Sequence, residues 1–291
     1  MRCVSLERQR LLKLPFEDIE QEIMTRDVIL YALGVGAGAN PQDERELRFV
    51  YEENLHALPT MAAVLCSPGF SWYQDPRNGI DWKRMLHGEQ SIEIYAPLPT
   101  YGVVVGRTRV TEVIDRGEGK GALMTVERTL TERATGGSLA KTTAVMFLRG
   151  NGGFRGPSAP INAPHPMPAR PPDLSITTPT LPQAALIYRL SGDLNPLHAD
   201  PKVATAGGFT KPILHGLCTF GVVGRALIES ACDFDPTRLR TMRARFTSPT
   251  YPGETIRTDI WADGGTVSFR ATVVERDAVV LNNGCATVGL D

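Results

Sequence analysis

Hydrophobic and polar residues form the same two patterns, one after the other, in each half of the chain. Three β-rich runs separated by Gly-rich turns occupy residues 107–150, and the same pattern occurs again over residues 254–290. Short strands joined by tight turns are typical of an antiparallel meander. Each half is therefore predicted to end in several antiparallel strands.

Apolar residues at helical spacing precede the strands in each half. The segment His215–Asp233 has a stripe of this kind, made up of Leu217, Phe220, Val223, Leu227 and Ala231. Leu58–Phe70 is similar but shorter, and small residues in both segments would let a sheet wrap closely around a helix. These patterns predict an α+β fold in which a helix wrapped by a curved antiparallel sheet occurs twice, and they suggest an ancient duplication.

A proline-rich segment separates the two halves. Seven prolines lie between Pro157 and Pro172, and proline removes a backbone donor and fixes φ, so this stretch should run extended. The predicted organisation is an N-terminal domain over residues 1–154, a linker over 155–173 and a C-terminal domain over 174–291.

Charge and composition exclude several classes of partner. The 291 residues include 31 basic and 32 acidic side chains spread along the chain, so no basic field is available for nucleic acid or an anionic membrane. No apolar run reaches the roughly 18 residues of a membrane helix, and the N-terminus has no signal peptide. The C-terminal "VGLD" is not a peroxisomal signal. We expect a cytoplasmic protein that binds small molecules or protein partners.

The cysteines argue against disulfides and sulfur-bound metals. There are five, without a CxxC pair: Cys3, Cys66, Cys218, Cys232 and Cys285. An odd number with wide spacing is typical of reduced thiols in the cytosol. No aspartate cluster has the spacing of metal ligands, so no metal is expected.

The segment "YRLSGDLNPLHAD" contains several polar side chains and lies between an apolar segment and a Gly-rich segment. Asp193, Asn195 and His198 surround Pro196, so the segment is predicted to be a turn, in which such residues often only bond their own backbone. They could equally form a proton-transfer pair with an amide that binds a carbonyl or water. The helix predicted to start near Gly216 would add free N–H groups for a developing oxyanion.

Taken together, these residues resemble the signature of the hydratase 2 family, the MaoC-like (R)-specific enoyl-CoA hydratases. "YRLSGDLNPLHADPKVATAGGFTKPILHGLCTFG" matches every defined position of its motif. "DVILYALGVGAG", "FVYEENLHALPT", "LHGEQSIEIYAPLP", "VIDRGEGKGALM" and "LRGNGGFRG" resemble its N-terminal half. The resemblance implies a double hotdog fold and, without a metal or redox cofactor, the hydration of trans-2-enoyl-CoA to (R)-3-hydroxyacyl-CoA.

The resemblance also implies roles for the residues of the motif. Asp193 and His198 match the catalytic pair, Asn195 matches the residue that places thioester and water, and Gly216 matches the amide that receives the thioester oxygen. Residues 1–154 contain no second copy of the motif. The N-terminal half is therefore expected to be non-catalytic and to accommodate the acyl chain, with Met61 and Val64 lining its tunnel.

Further substrate contacts are expected around this centre. His87 and Gly88 of "HGEQ" contact either pantetheine or only the other half of the molecule. His215 and Leu217 are expected to contact the substrate because they flank Gly216. Glu52 could lie near the site, and Arg243 and Arg245 could bind the phosphates of CoA. For all three residues, the local sequence favours the competing interpretation as surface charges.

Two other functions remain open at this stage. A thioesterase of the same fold could use Asp193 and His198 to direct water to C1, and a non-catalytic protein could bind acyl-CoA only. The complete motif favours hydration over both. By analogy with the family we expect a homodimer.

Overall fold

Ten antiparallel strands form one continuous sheet. The structure is a computed structural model that describes residues 6–157 and 163–289. Its strands are β1 (Ile19–Ile23), β2 (Met85–Ile94), β3 (Gly102–Asp115), β4 (Ala122–Glu132), β5 (Ser138–Leu148), β6 (Leu174–Pro179), β7 (Leu239–Phe246), β8 (Thr255–Asp263), β9 (Thr266–Val273) and β10 (Ala278–Val288).

The two halves of the sheet have the same topology. The strand order is β1-β3-β4-β5-β2-β7-β10-β9-β8-β6. From edge to centre, each half therefore contributes its first, third, fourth, fifth and second strand. The halves join where β2 pairs with β7, with Glu89 opposite Arg245. This equivalence confirms the predicted α+β double hotdog and supports the duplication.

One helix is the centre of the molecule. In the described residues the α-helices are α1 (Arg8–Leu12), α2 (Thr25–Gly34), α3 (Glu44–Leu47), α4 (Ser71–Gln74), α5 (Ala184–Tyr188), α6 (Pro201–Ala206) and α7 (Gly216–Ala231). Every residue of α7 from Cys218 to Ile228 is buried. A helix buried all round lies inside a core, so the helix predicted over His215–Asp233 is confirmed as the axis of the C-terminal hotdog.

The N-terminal half lacks the helix expected over Leu58–Phe70. A 3₁₀ helix, Pro59–Ala63, stands in its place and packs against α7. The chain turns away at Cys66, whose φ is 52°, and proline at position 68 disfavours helical geometry in the residue before it. The expectation of an α-helix over Leu58–Phe70 was wrong, and the turn at Cys66 and the proline at position 68 prevent a helix from reaching Phe70.

Two glycines of α7 allow the N-terminal half to approach it closely. A Cβ at Gly221 would lie 2.5 Å from Val35 Cγ1, and one at Gly224 would lie 2.4 Å from Thr60 Cγ2. The small residues do permit close packing, as predicted, but here the neighbours are N-terminal helical segments. A buried ion pair between Arg225 and Glu46, 3.2 Å apart, also joins the halves.

The proline-rich segment lies against the C-terminal sheet, although residues 158–162 of it fall outside the described part. Trp261 Nε1 donates to the Arg170 carbonyl (2.8 Å), and Asn283 Nδ2 donates to the His165 carbonyl (2.9 Å). The part after the gap is thus fixed by hydrogen bonds to β8 and β10, whereas Gly156 and Pro157 before it bond to Asp115 of β3. Among the residues described, no helix is long and apolar enough to cross a membrane.

The close contact at Gly224 gives a prediction for stability. Gly224→Ala should lower the free energy of unfolding by about 1 to 3 kcal/mol, because the new methyl group overlaps Thr60. Gly34→Ala in α2 is the matched control, since a Cβ there would meet its nearest neighbours, in α5, only at 3.7 Å or more. Urea denaturation measures both, and equal midpoints for the two variants would contradict the proposed packing.

Candidate active site

The polar segment is a turn stabilised by its own side chains. Asp193 Oδ1 accepts from the Asn195 amide (3.1 Å), and Asn195 Oδ1 accepts from the Leu197 amide (3.1 Å). A 3₁₀ helix, Pro196–His198, follows. The predicted turn is confirmed. Asp193 keeps its second carboxylate oxygen, and Asn195 keeps its amide donors for other partners.

The ring of His198 is oriented by a backbone carbonyl. Its Nδ1 lies 2.9 Å from the Ile213 oxygen, which places the proton on Nδ1 and leaves a lone pair on Nε2. The residue is buried, and burial lowers the pKa of His198 below its usual value. His198 is therefore neutral near pH 7, and its Nε2 can accept a proton.

His215 contacts both of these residues. It is the residue before α7, and its Nε2 lies 3.1 Å from the Asp193 carbonyl oxygen. Its ring stacks on the ring of His198, with centroids 3.8 Å apart and planes at 28°. Burial, reinforced by the neighbouring His198, lowers the pKa of His215 to about 4. Both rings are thus neutral at physiological pH.

The side chains of Asp193, His198 and His215 form a compact group, and their ligand types could in principle suit a metal ion. Donor atoms of Asp193, His198 and His215 lie within 4.8 Å of one another. Metal ligands must direct their lone pairs at one point about 2 Å away. Imidazole lone pairs lie in the ring planes, and two planes stacked at 3.8 Å and 28° do not meet at that distance. This arrangement suits a shared water better than a cation.

Gly216 opens α7 beside this group. The amides of Cys218 and Thr219 donate to the His215 carbonyl (3.0 and 3.2 Å). The Gly216 amide precedes them and has no partner inside the helix. A Cβ at Gly216 would lie 3.1 Å from the Phe246 ring. Glycine thus permits the close approach of Phe246, and a free donor remains at the positive end of the helix dipole.

The N-terminal half contributes His87. A bulge in β2 between His87 and Glu89 turns this ring toward Phe246 of β7, 4.8 Å away. Its Nε2 is buried and has no hydrogen-bond partner among the described residues. Burial lowers the pKa of His87 to about 4, although the nearby charge of Asp193 opposes the shift. His87 therefore lies at the contact between the halves and close to Asp193, and Gly88 forms the bulge.

Arg243 and Arg245 lie on the face of β7 that points away from the core. Met242 and Ala244 of β7 are buried in the core, and successive side chains of a strand alternate, so Arg243 and Arg245 point to the opposite face. Arg245 instead pairs with Glu89 across the junction of the halves, at 2.7 Å. Both are thus charges on the outer face of the sheet, as the local sequence favours, and their role as ligands of the CoA phosphates stays a prediction.

Glu52 is exposed in a turn, as its interpretation as a surface charge predicts. The other predicted lining residues are in the core. Met61 and Val64 are buried there, and Leu217 is partly buried against it. These positions separate the surface charges among the candidates from the apolar residues that a substrate could contact.

Two buried tyrosines near the group were not identified from the sequence. The Tyr188 ring lies 5.1 Å from the His215 ring, and Tyr31 of α2 lies 5.9 Å from Tyr188. Tyr188 begins the polar motif, so its place in the motif was a usable signal. No local pattern identifies Tyr31, which reaches the site only through the packing of α2 on α5.

Comparisons with known families match both halves of the chain. Residues 22–150 match the MFE-2 hydratase 2 N-terminal domain, and residues 164–283 match the MaoC like domain. The two matches lie on either side of the proline-rich segment.

Individual proteins match over most of the chain. It is 42% identical to 3-hydroxyacyl-thioester dehydratase Y of Mycobacterium tuberculosis, covering 89% of this chain and 90% of that protein. It is 39% identical to the peroxisomal enoyl-CoA hydratase 2 of Arabidopsis thaliana, covering 88% and 87%. The crystal structure of a MaoC-like dehydratase from Phytophthora capsici superposes with a TM-score of 0.83 at 38% identity, covering 97% and 99%.

The lowered pKa of His87 predicts how stability depends on pH. Its pKa is 6.5 ordinarily and about 4 when folded, so between these values the unfolded chain binds more protons. The free energy of unfolding should therefore rise with pH across this window, by up to about 1.4 kcal/mol per unit for this group. His87→Gln should reduce the slope measured by urea unfolding at pH 4.5 to 7.5. His56→Gln, at an exposed site, is the control, and equal slopes in both variants would contradict the prediction.

Proposed function

Because the chain belongs to the MaoC-like hydratase 2 family, we propose that it catalyses the reversible (R)-specific addition of water to trans-2-enoyl-CoA esters. The observation that carries this proposal is a carboxylate, a free imidazole nitrogen and the start of a buried helix in one site. Asp193, His198 and Gly216 supply them. Together they can hold a water, take its proton and stabilise an oxyanion.

In the proposed reaction, one water is held between the Asp193 carboxylate and His198 Nε2. The Nδ1 hydrogen bond to Ile213 keeps Nε2 unprotonated and fixes the ring plane. As the water oxygen bonds to C3, the pair takes its proton and returns a proton to C2 on the same face. Both hydrogen and hydroxyl thus come from one water, and no electrons leave the substrate.

Attack at C3 requires the thioester oxygen to accept negative charge. We assign this charge to the Gly216 amide, which lies at the N-terminus of the 16-residue α7. One such donor is worth on the order of 3 kcal/mol in a site from which bulk water is excluded. Asn195 has amide donors left after its turn bond, and we assign them to orienting the water or the thioester.

We propose a division of labour between the halves. Residues 174–291 carry the catalytic group, and residues 1–154 accommodate the acyl chain beside Met61 and Val64. His87, Gly88, His215 and Leu217 would lie along the thioester and pantetheine. The short 3₁₀ helix Pro59–Ala63 supports this, because it stands where the C-terminal half has its 16-residue central helix.

We propose that the reaction uses no metal or redox cofactor, because proton transfer and one oxyanion donor account for every step.

We also propose a homodimer, supported by exposed leucines next to the catalytic turn, Leu186, Leu190 and Leu194. A mass of twice the 31.7 kDa chain by light scattering would support it, and a mass of one chain would contradict it.

The cellular location is a separate proposal. The four cysteines among the described residues are free, and three of them are buried. Free thiols fit a reducing compartment such as the cytosol. A peroxisomal location is the alternative, since the Arabidopsis thaliana relative has a peroxisomal name. A fluorescent fusion in the source organism distinguishes the two.

The function is tested by following enoyl absorbance between about 240 and 280 nm together with thiol release. Hydration removes the conjugated double bond and releases no CoA, whereas a thioesterase releases CoA and a binding protein changes neither signal. Short, medium and long trans-2-enoyl-CoA esters define the acyl preference. Dialysis against EDTA should leave the rate unchanged, and a rate restored only by a divalent cation would refute the metal-free mechanism.

The catalytic pair gives the sharpest prediction for this function. Asp193→Asn and His198→Ala should each lower kcat by about a hundredfold or more, because each removes one partner of the proton transfer. Asp200→Asn is the control, since Asp200 caps α6 and asparagine caps a helix equally well. Thermal unfolding should be similar in all three proteins. Near-normal turnover in both pair variants would refute the mechanism.

A further inference from the structure

His215 contacts each part of the proposed site, although no step of the reaction uses its proton. Its ring stacks on His198 at 3.8 Å, and its Nε2 lies 3.1 Å from the Asp193 carbonyl oxygen. It also directly precedes Gly216 at the start of α7. One side chain therefore connects the base, the carboxylate turn and the oxyanion donor.

The two contacts of the ring have separate consequences. Donation from Nε2 to the Asp193 carbonyl connects the turn to the start of α7, which fixes the distance between the carboxylate and the Gly216 amide. The stack covers one face of His198 and excludes water from it. Nδ1 of His215 remains buried and has no hydrogen-bond partner among the described residues, which is costly unless the position has a function.

On the premise of the proposed function, we propose that His215 is a positioning residue with two separable tasks. Its Nε2–H holds the Asp193 turn at the helix start, and its aromatic face shields and orients His198. The Tyr188 ring, 5.1 Å away, contacts His215 from α5 and limits its movement.

The charges around His215 agree with these tasks. Asp193 favours a protonated ring, His198 and Arg189 oppose it, and burial is the largest influence, so that the pKa of His215 falls to about 4. Above about pH 5 the ring is neutral. A neutral ring can stack on His198 while His198 takes up a proton, whereas a charged ring would repel it.

Two variants separate the tasks. His215→Phe keeps an aromatic face but cannot donate to Asp193. His215→Gln places an amide donor at a similar reach but has no ring. The readouts are kcat on the pH plateau, KM, and the midpoint of the acid limb of kcat/KM, which reports protonation of the Asp193–His198 pair as a unit.

We expect the two variants to fail differently. In His215→Gln the acid limb should move up by about half a pH unit or more, because water reaches His198 and the effect of burial on its pKa is relieved. Its plateau kcat should stay within about threefold of the wild type. In His215→Phe the limb should stay in place, and kcat should fall about tenfold as the turn loosens. KM should change less than about twofold in either.

If kcat falls equally in both variants and the acid limb of kcat/KM does not move in either, His215 has only a structural role and the proposal is overturned. Wild-type kcat and acid limbs in both variants would overturn it as well. If His215→Phe fails to fold, the midpoint of the acid limb of kcat/KM in His215→Gln tests the proposal by itself. NMR titration of the His198 ring gives a readout without turnover. An unshifted His198 titration in His215→Gln overturns the proposal, whereas a wild type without hydratase activity overturns only the proposed function.

Discussion

The burial of α7 is the constraint on which the structure depends. Its residues from Cys218 to Ile228 are enclosed on all sides, and the N-terminal half reaches it only because Gly221 and Gly224 have no side chains in the way. The first turn lies at the edge of this enclosure, because Gly216 and Leu217 are only partly buried. The free amide of Gly216 can therefore meet a substrate next to a low-dielectric core, where a hydrogen bond to a developing charge is stronger than in bulk water.

The same enclosure sets the electrostatics of the histidines. His87, His198 and His215 each have a lowered pKa, and burial is the largest cause in all three. Neutral imidazoles can accept a proton or stack without repulsion, as a proton-transfer site requires. The two halves share one topology, yet in the described part of the chain only one has a long central helix, and the proposed division between a catalytic half and an acyl-binding half rests on this asymmetry.

The sequence alone determined the features that are encoded locally. The turn at Asp193 and Asn195 follows from side chains that bond their own backbone, and α7 follows from apolar residues at helical spacing. Strand alternation and glycine turns predicted two meanders and hence the fold. The proline at position 68 was also visible in the sequence, although the short apolar run before it suggested a longer helix than the one that forms.

Only the tertiary structure decided which distant residues meet. His87 lies near Asp193 because β2 pairs with β7 and a bulge redirects one ring, and Tyr31 lies behind Tyr188 because α2 packs on α5. The pairing of Arg245 with Glu89 likewise depends on the register between the halves. Such contacts follow from strand pairing and helix packing across the whole chain, whereas turns, helices and strands follow from interactions within a few residues.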